Sequence, residues 1–133
     1  MTSNGARGAE FERQTRDLLR EHGYLVTRST ASKGLIDLFA VAPPGEGHFP
    51  VAPTAFYAGP HTLCVQAKRD GRLDHGEWNA LYALAKAGGL VPVLAKREKV
   101  GRRHVVALYR LTGPRVPRSR TWPMERIETG GEA

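Results

Sequence analysis

Two short apolar runs constrain this chain more than anything else in it. GLIDLFAV (residues 34–41) and TLCVQAKR (residues 62–69) each have the composition of a buried strand. Yet the first holds Asp37 and the second holds Gln66 and Lys68. Charges on buried strands are costly unless they are paired or bound to something. Side chains alternate along a strand, so Gln66 and Lys68 share one face. If the two runs pair as a hairpin, Asp37 comes to lie near both. A carboxylate and an amide oxygen beside an ammonium form a set that can ligate a hard divalent cation. Magnesium suits it best, with manganese as its usual substitute.

The rest of the chain supplies the frame. Residues 7–22 place Phe11, Leu18 and Leu19 among charges at helical spacing, and Gly23 ends the segment as a glycine commonly does. YLVTRS (24–29) reads as the first strand, LIDLFAV (35–41) as the second and TLCVQAK (62–68) as the third. Between the last two, residues 43–61 are rich in Pro and Gly and read as a long loop. A helix is expected over EWNALYALAKA (77–87), closed by Gly88 and Gly89. LVPVLAKR (90–97) and HVVALYRL (104–111) are the last two strands. The order α-β-β-β-α-β-β predicts an α/β fold, a mixed central sheet flanked by helices. Residues 1–112 form one domain on this reading, and 113–133 a basic, Pro- and Gly-rich tail.

Charge says what partner to expect. Twenty Lys and Arg against thirteen Asp and Glu give a formal charge of +7, which favours a polyanion and nucleic acid first. Lone Cys64 can form neither an internal disulfide nor a cysteine zinc cluster and is expected to be buried. The five histidines, His22, His48, His61, His75 and His104, share no metal-ligand spacing. No apolar stretch is long enough to span a membrane, and the N-terminus lacks a signal peptide's apolar core, so an intracellular protein, cytoplasmic in its host, is expected.

IDLFAV, a spacer and then CVQAK resemble the bipartite motif of the PD-(D/E)xK nuclease superfamily. GAEFERQTRDLLREHGYLVTRS is similar to the opening helix and strand of archaeal-type Holliday junction resolvases, through Gly8, Glu12, Arg13, Gly23, Tyr24, Arg28 and Ser29 in order. The helix near Trp78, the paired glycines and the strand VPVLAKR extend the likeness over residues 7–111. The resemblance implies a restriction-endonuclease-like fold, a magnesium- or manganese-dependent endonuclease, four-way DNA junctions as substrate and a homodimer. It makes Asp37 the central metal ligand, with Gln66, the backbone carbonyl of Ala67 and Glu12 completing the set. Lys68 would orient or deprotonate the attacking water, and Ser32 or Ser29 would lie near the scissile phosphate. Arg7, Arg13, Arg28, Lys33, Arg69, Arg72, Arg102 and Arg103 are the residues expected on DNA phosphates.

Two positions depart from the motif. Ile36 stands where the motif has proline, and Gln66 stands where it has a second acid. Gln-x-Lys in this form resembles the Mrr-type restriction endonucleases, so a nuclease acting on duplex DNA is a second expectation. A DNA-binding module with a decayed site is a third. Trp78 and Tyr82, four residues apart on the second helix, are expected in the core or at a dimer contact. The basic segments KREKVGRR and RVPRSR are expected on phosphate backbone.

Overall fold

A computed structural model describes residues 4–29, 35–42 and 61–128. Helix α1 (Asn4–Glu21) leads into β1 (Leu25–Arg28), β2 (Leu38–Ala42) and β3 (His61–Ala67). Helix α2 (His75–Gly88) then precedes β4 (Val91–Val100), β5 (Arg103–Leu111) and β6 (Met124–Arg126). The six strands form a single sheet in sequence order, antiparallel throughout except where β3 runs parallel to β4. A parallel pair needs a crossover, and α2 provides it. This is the expected mixed α/β sheet flanked by helices, consistent with a restriction-endonuclease-like fold.

Strand alternation divides the core in two. Leu63 and Val65 of β3 face α1, in a cluster with Phe11, Leu19, Leu38, Val93 and Leu108. Cys64 faces the other way, toward Trp78, Leu81 and Ala85 of α2 and Leu94 of β4. Because β3 is covered on both faces, it reads as a near-continuous apolar run. Burial pushes the Cys64 thiol up to about 12, which leaves it an inert packing group. His61 is also buried, at 2.7 Å from the Tyr24 hydroxyl and edge-on to its ring.

Local chemistry sets the ends of α2. The Asp74 side chain caps it by accepting from the Glu77 N–H at 2.8 Å. Gly89 closes it in the left-handed region, at φ 68°. Before the helix, Gly71 has φ 74°, and a Cβ there would stand 2.8 Å from the Lys96 side chain. The turn from Lys68 to α2 therefore requires glycine.

Two expectations are corrected. The second strand begins at Leu38 rather than residue 35, because Leu35 and Ile36 both pack into the α2-side cluster and break the alternation. The segment after Thr112 is not a loose tail over residues 113–128. Met124–Arg126 adds a sixth strand beside β5, and Ile127 is buried in the α1-side core. Trp122 meets Trp78 edge-on at 5.8 Å, while the Trp78 indole N–H donates to the Gly113 carbonyl at 2.9 Å.

Candidate active site

The pairing of β2 with β3 sets Leu38 opposite Val65, so the next position of the same register sets Asp37 opposite Gln66. Two hydrogen bonds bracket that pair. The Asp37 N–H donates to the Val65 carbonyl at 2.8 Å, and the Asp37 carboxylate accepts from the Ala67 N–H at 2.8 Å. A side-chain oxygen thus takes the place of a backbone acceptor where the ladder ends. It anchors Asp37 on the strand carrying Gln66. Beyond Ala67, the Lys68 N–H continues toward β4 and donates to the Ala95 carbonyl at 2.9 Å.

Asp37 is electrostatically strained. Burial raises its carboxyl above the ordinary value, opposed by the Ala67 N–H and by the charges of Lys68 and Arg28. Glu12 reaches the same place from α1. Its carboxyl is also raised, by burial first and by the Asp37 charge second, with Arg28 and Arg16 opposing. The Glu12–Arg28 ion pair measures 3.0 Å. Asp37 is therefore the link between Glu12 on one side and Lys68 on the other.

Gln66 is 3 % exposed, and its Oε1 is buried without a hydrogen-bond partner among the described residues. An orphaned buried acceptor is uncommon and needs a reason. Two carboxylates resisting ionisation and an amide oxygen seeking a partner are groups that a hard divalent cation would satisfy together. Among the described residues no three His, Cys, Asp or Glu side chains gather in one place, in keeping with glutamine at position 66.

The expected residues divide into several places. Glu12, Asp37, Gln66, Ala67 and Lys68 come together, whereas Ser32 and Lys33 lie outside the described residues. Ser29 donates its N–H to the Asp37 carbonyl at 2.9 Å. Arg28 and Arg13 line a cleft of about 410 Å³ with Glu12, Arg16 and Leu38. Arg13 is also paired with Glu10. Arg7 and Arg69 line a second cleft, of about 300 Å³, with Arg97 and His104. Arg72 lies 4.0 Å from Asp70, and Arg102 and Arg103 are exposed at the β4–β5 turn.

Sequence reasoning expected Arg97 on phosphate as part of KREKVGRR but did not place it, or His104, in this second cleft. Ala95 and Leu108 face each other in the sheet, and Arg97 and His104 continue their respective alternations. The apolar stripe under α1 thus becomes a basic one beyond its end. No described carboxylate forms an ion pair with Arg7, Arg69 or Arg97. Glu77 was missed as well; its carboxylate lies 3.6 Å from the Lys68 ammonium.

A sheet of this topology, with acids and a lysine at the end of one hairpin, is consistent with the restriction-endonuclease-like class. The family model described as archaeal Holliday junction resolvase matches residues 3–46. That span contains α1, β1 and β2, hence Glu12, Arg28 and Asp37, and stops before Gln66 and Lys68. The match supports a resolvase-like nuclease at the level of the family, with DNA as the partner that family implies. Among curated proteins, none matches the chain.

Proposed function

We propose that this chain is a magnesium- or manganese-dependent DNA endonuclease that resolves four-way junctions by hydrolysing phosphodiester bonds. The observation that carries it is Asp37, held on β3 by the Ala67 N–H and coupled by charge to Glu12 and Lys68, opposite Gln66, whose buried oxygen has no partner among the described residues. Glu12, Asp37, Gln66 through Oε1 and Ala67 through its carbonyl would hold the cation. Bound there, a divalent cation polarises the phosphoryl oxygen and makes its water more acidic.

The chain's own groups do the rest. Asp37 is kept in place by the Ala67 N–H, so its free oxygen is presented to the site without a side-chain search. Lys68 orients the attacking water and steadies the charge that grows on the phosphate. The water oxygen bonds to phosphorus as the bond to the leaving sugar oxygen breaks, and that oxygen takes up a proton. Arg28 offsets the charge of Glu12. The two arginine-lined clefts, which meet at Glu10, would track the DNA backbone.

Gln66 favours a second reading. A neutral amide in the ligand set is the Mrr-like arrangement, in which the same chemistry acts on duplex DNA. Cutting both strands of a junction symmetrically requires two sites, so the working form is a homodimer. Leu84, exposed on α2, would offer apolar surface for that contact.

The deciding experiment compares a labelled four-way junction with a linear duplex of the same sequence, in magnesium, manganese or chelator. Junction-selective, paired nicking that Asp37→Ala and Lys68→Ala both abolish is the expected result. Equal cutting of the duplex would establish the Mrr-like alternative. Tight binding with no cutting in either metal would leave a DNA-binding module.

A further inference from the structure

Residue 66 brings no charge, yet Lys68, two positions on, faces a carboxylate: Glu77, 3.6 Å from its ammonium. We propose that Glu77 is a positioning residue of the cleavage centre, holding the Lys68 ammonium beside Asp37. This rests on the reading of that centre as a nuclease site.

Three observations support it. First, Glu77 has a fixed base. It is the third residue after the Asp74 cap, and its N–H is held by the Asp74 side chain at 2.8 Å. The preceding turn is set by Gly71, which admits no other residue without strain. Second, both ends of Lys68 are tethered. Its backbone N–H is bonded to Ala95, and its ammonium stands 3.6 Å from Glu77 while its charge acts on Asp37. A four-carbon side chain with a single anchor would sample many rotamers.

Third, the charges favour a further anion. With a dication on Glu12 and Asp37 and no phosphate yet bound, the Lys68 ammonium would be repelled from the site. Glu77 supplies the compensating charge and draws Lys68 to the α2 side of the site. As a purely structural contact the pair would matter little, since both side chains are at least a third exposed.

The test uses the full chain with Glu77→Gln and Glu77→Asp. Glutamine retains the helix-start hydrogen bonding, so folding is preserved. Junction cleavage by Glu77→Gln should fall about tenfold to a hundredfold, with Glu77→Asp recovering most of it. Junction binding in calcium and the melting temperature should stay at wild-type values. The second readout needs no activity. In proton–nitrogen spectra of the lysine ammonium groups, the Lys68 signal, assigned by its loss in Lys68→Arg, should be sharp in wild type and Glu77→Asp. It should broaden away in Glu77→Gln. Wild-type cleavage by Glu77→Gln, or an unchanged Lys68 signal, overturns the role. A wild-type chain that cuts nothing in either metal removes the nuclease reading itself, and this role with it.

Discussion

Two carboxylate clusters sit on this sheet, and their electrostatics run in opposite directions. On β4, Glu98 accepts from the Tyr109 hydroxyl and from Arg126 at 2.5 Å, with the Lys96 ammonium at 3.4 Å. Burial works against its charge, but these donors outweigh it and hold the carboxyl below its ordinary value. At the hairpin end, Asp37 and Glu12 are both raised, and the Gln66 oxygen has no partner among the described residues. Glu98 is satisfied by the protein itself. Asp37 and Glu12 are held where ionisation is costly, which suits the proposed cation site and would make a poor anchor for the fold.

The sharpest way to break the contrast is to neutralise each cluster in turn. Asp37→Asn should lower cleavage about 10³-fold while leaving the melting temperature level or slightly raised, since it removes a buried and strained charge. Junction cleavage with parallel thermal melts checks both halves. Glu98→Ala should do the reverse. It should cost about 1–3 kcal/mol in urea unfolding, because Tyr109, Lys96 and Arg126 lose their acceptor, with cleavage unchanged.

Converting one cluster toward the other sharpens it further. Gln66→Glu restores an acid to the site, so the metal concentration giving half-maximal cleavage should drop about tenfold. Without metal the same variant should lose about 1–2 kcal/mol, because a third carboxylate joins two already raised. Metal titration of cleavage and chelated urea melts measure the two effects.

The smallest expected effect is in pH. Glu98, depressed in the fold, contributes stability that is present above its unfolded pKa and lost as pH falls through its folded one. Asp37 and Glu12, raised in the fold, have the opposite sign. They cost stability once ionised, and the cost is relieved as pH falls through their folded values. Titrating wild type and Glu98→Gln in the mildly acidic range should therefore show Glu98→Gln losing less stability on acidification. Cleavage at limiting metal should rise with pH through a window above the ordinary carboxylate range.

Local signals made much of this legible in the sequence. Gly23, the Gly88-Gly89 pair and the period-two runs announced the elements, and Asp37 with Gln66 and Lys68 stood out as charge where apolar residues belong. Long-range register was not legible. Glu77 looks like any first-turn helix acid until the β3–α2 turn brings it to Lys68. Arg97 and His104 join Arg69 only because β4 pairs with both β3 and β5. The start of β2 was misread because Leu35 and Ile36 both pack into the α2-side cluster, a break in alternation that an apolar run does not reveal.

The segment from Trp122 to Ile127 works as a clasp. Trp122 packs against the α2-side cluster and Ile127 is buried in the α1-side one, so one short stretch pins both halves of the interior. Removing it would strip Trp78 of its edge-on neighbour and β5 of its outer partner at a stroke.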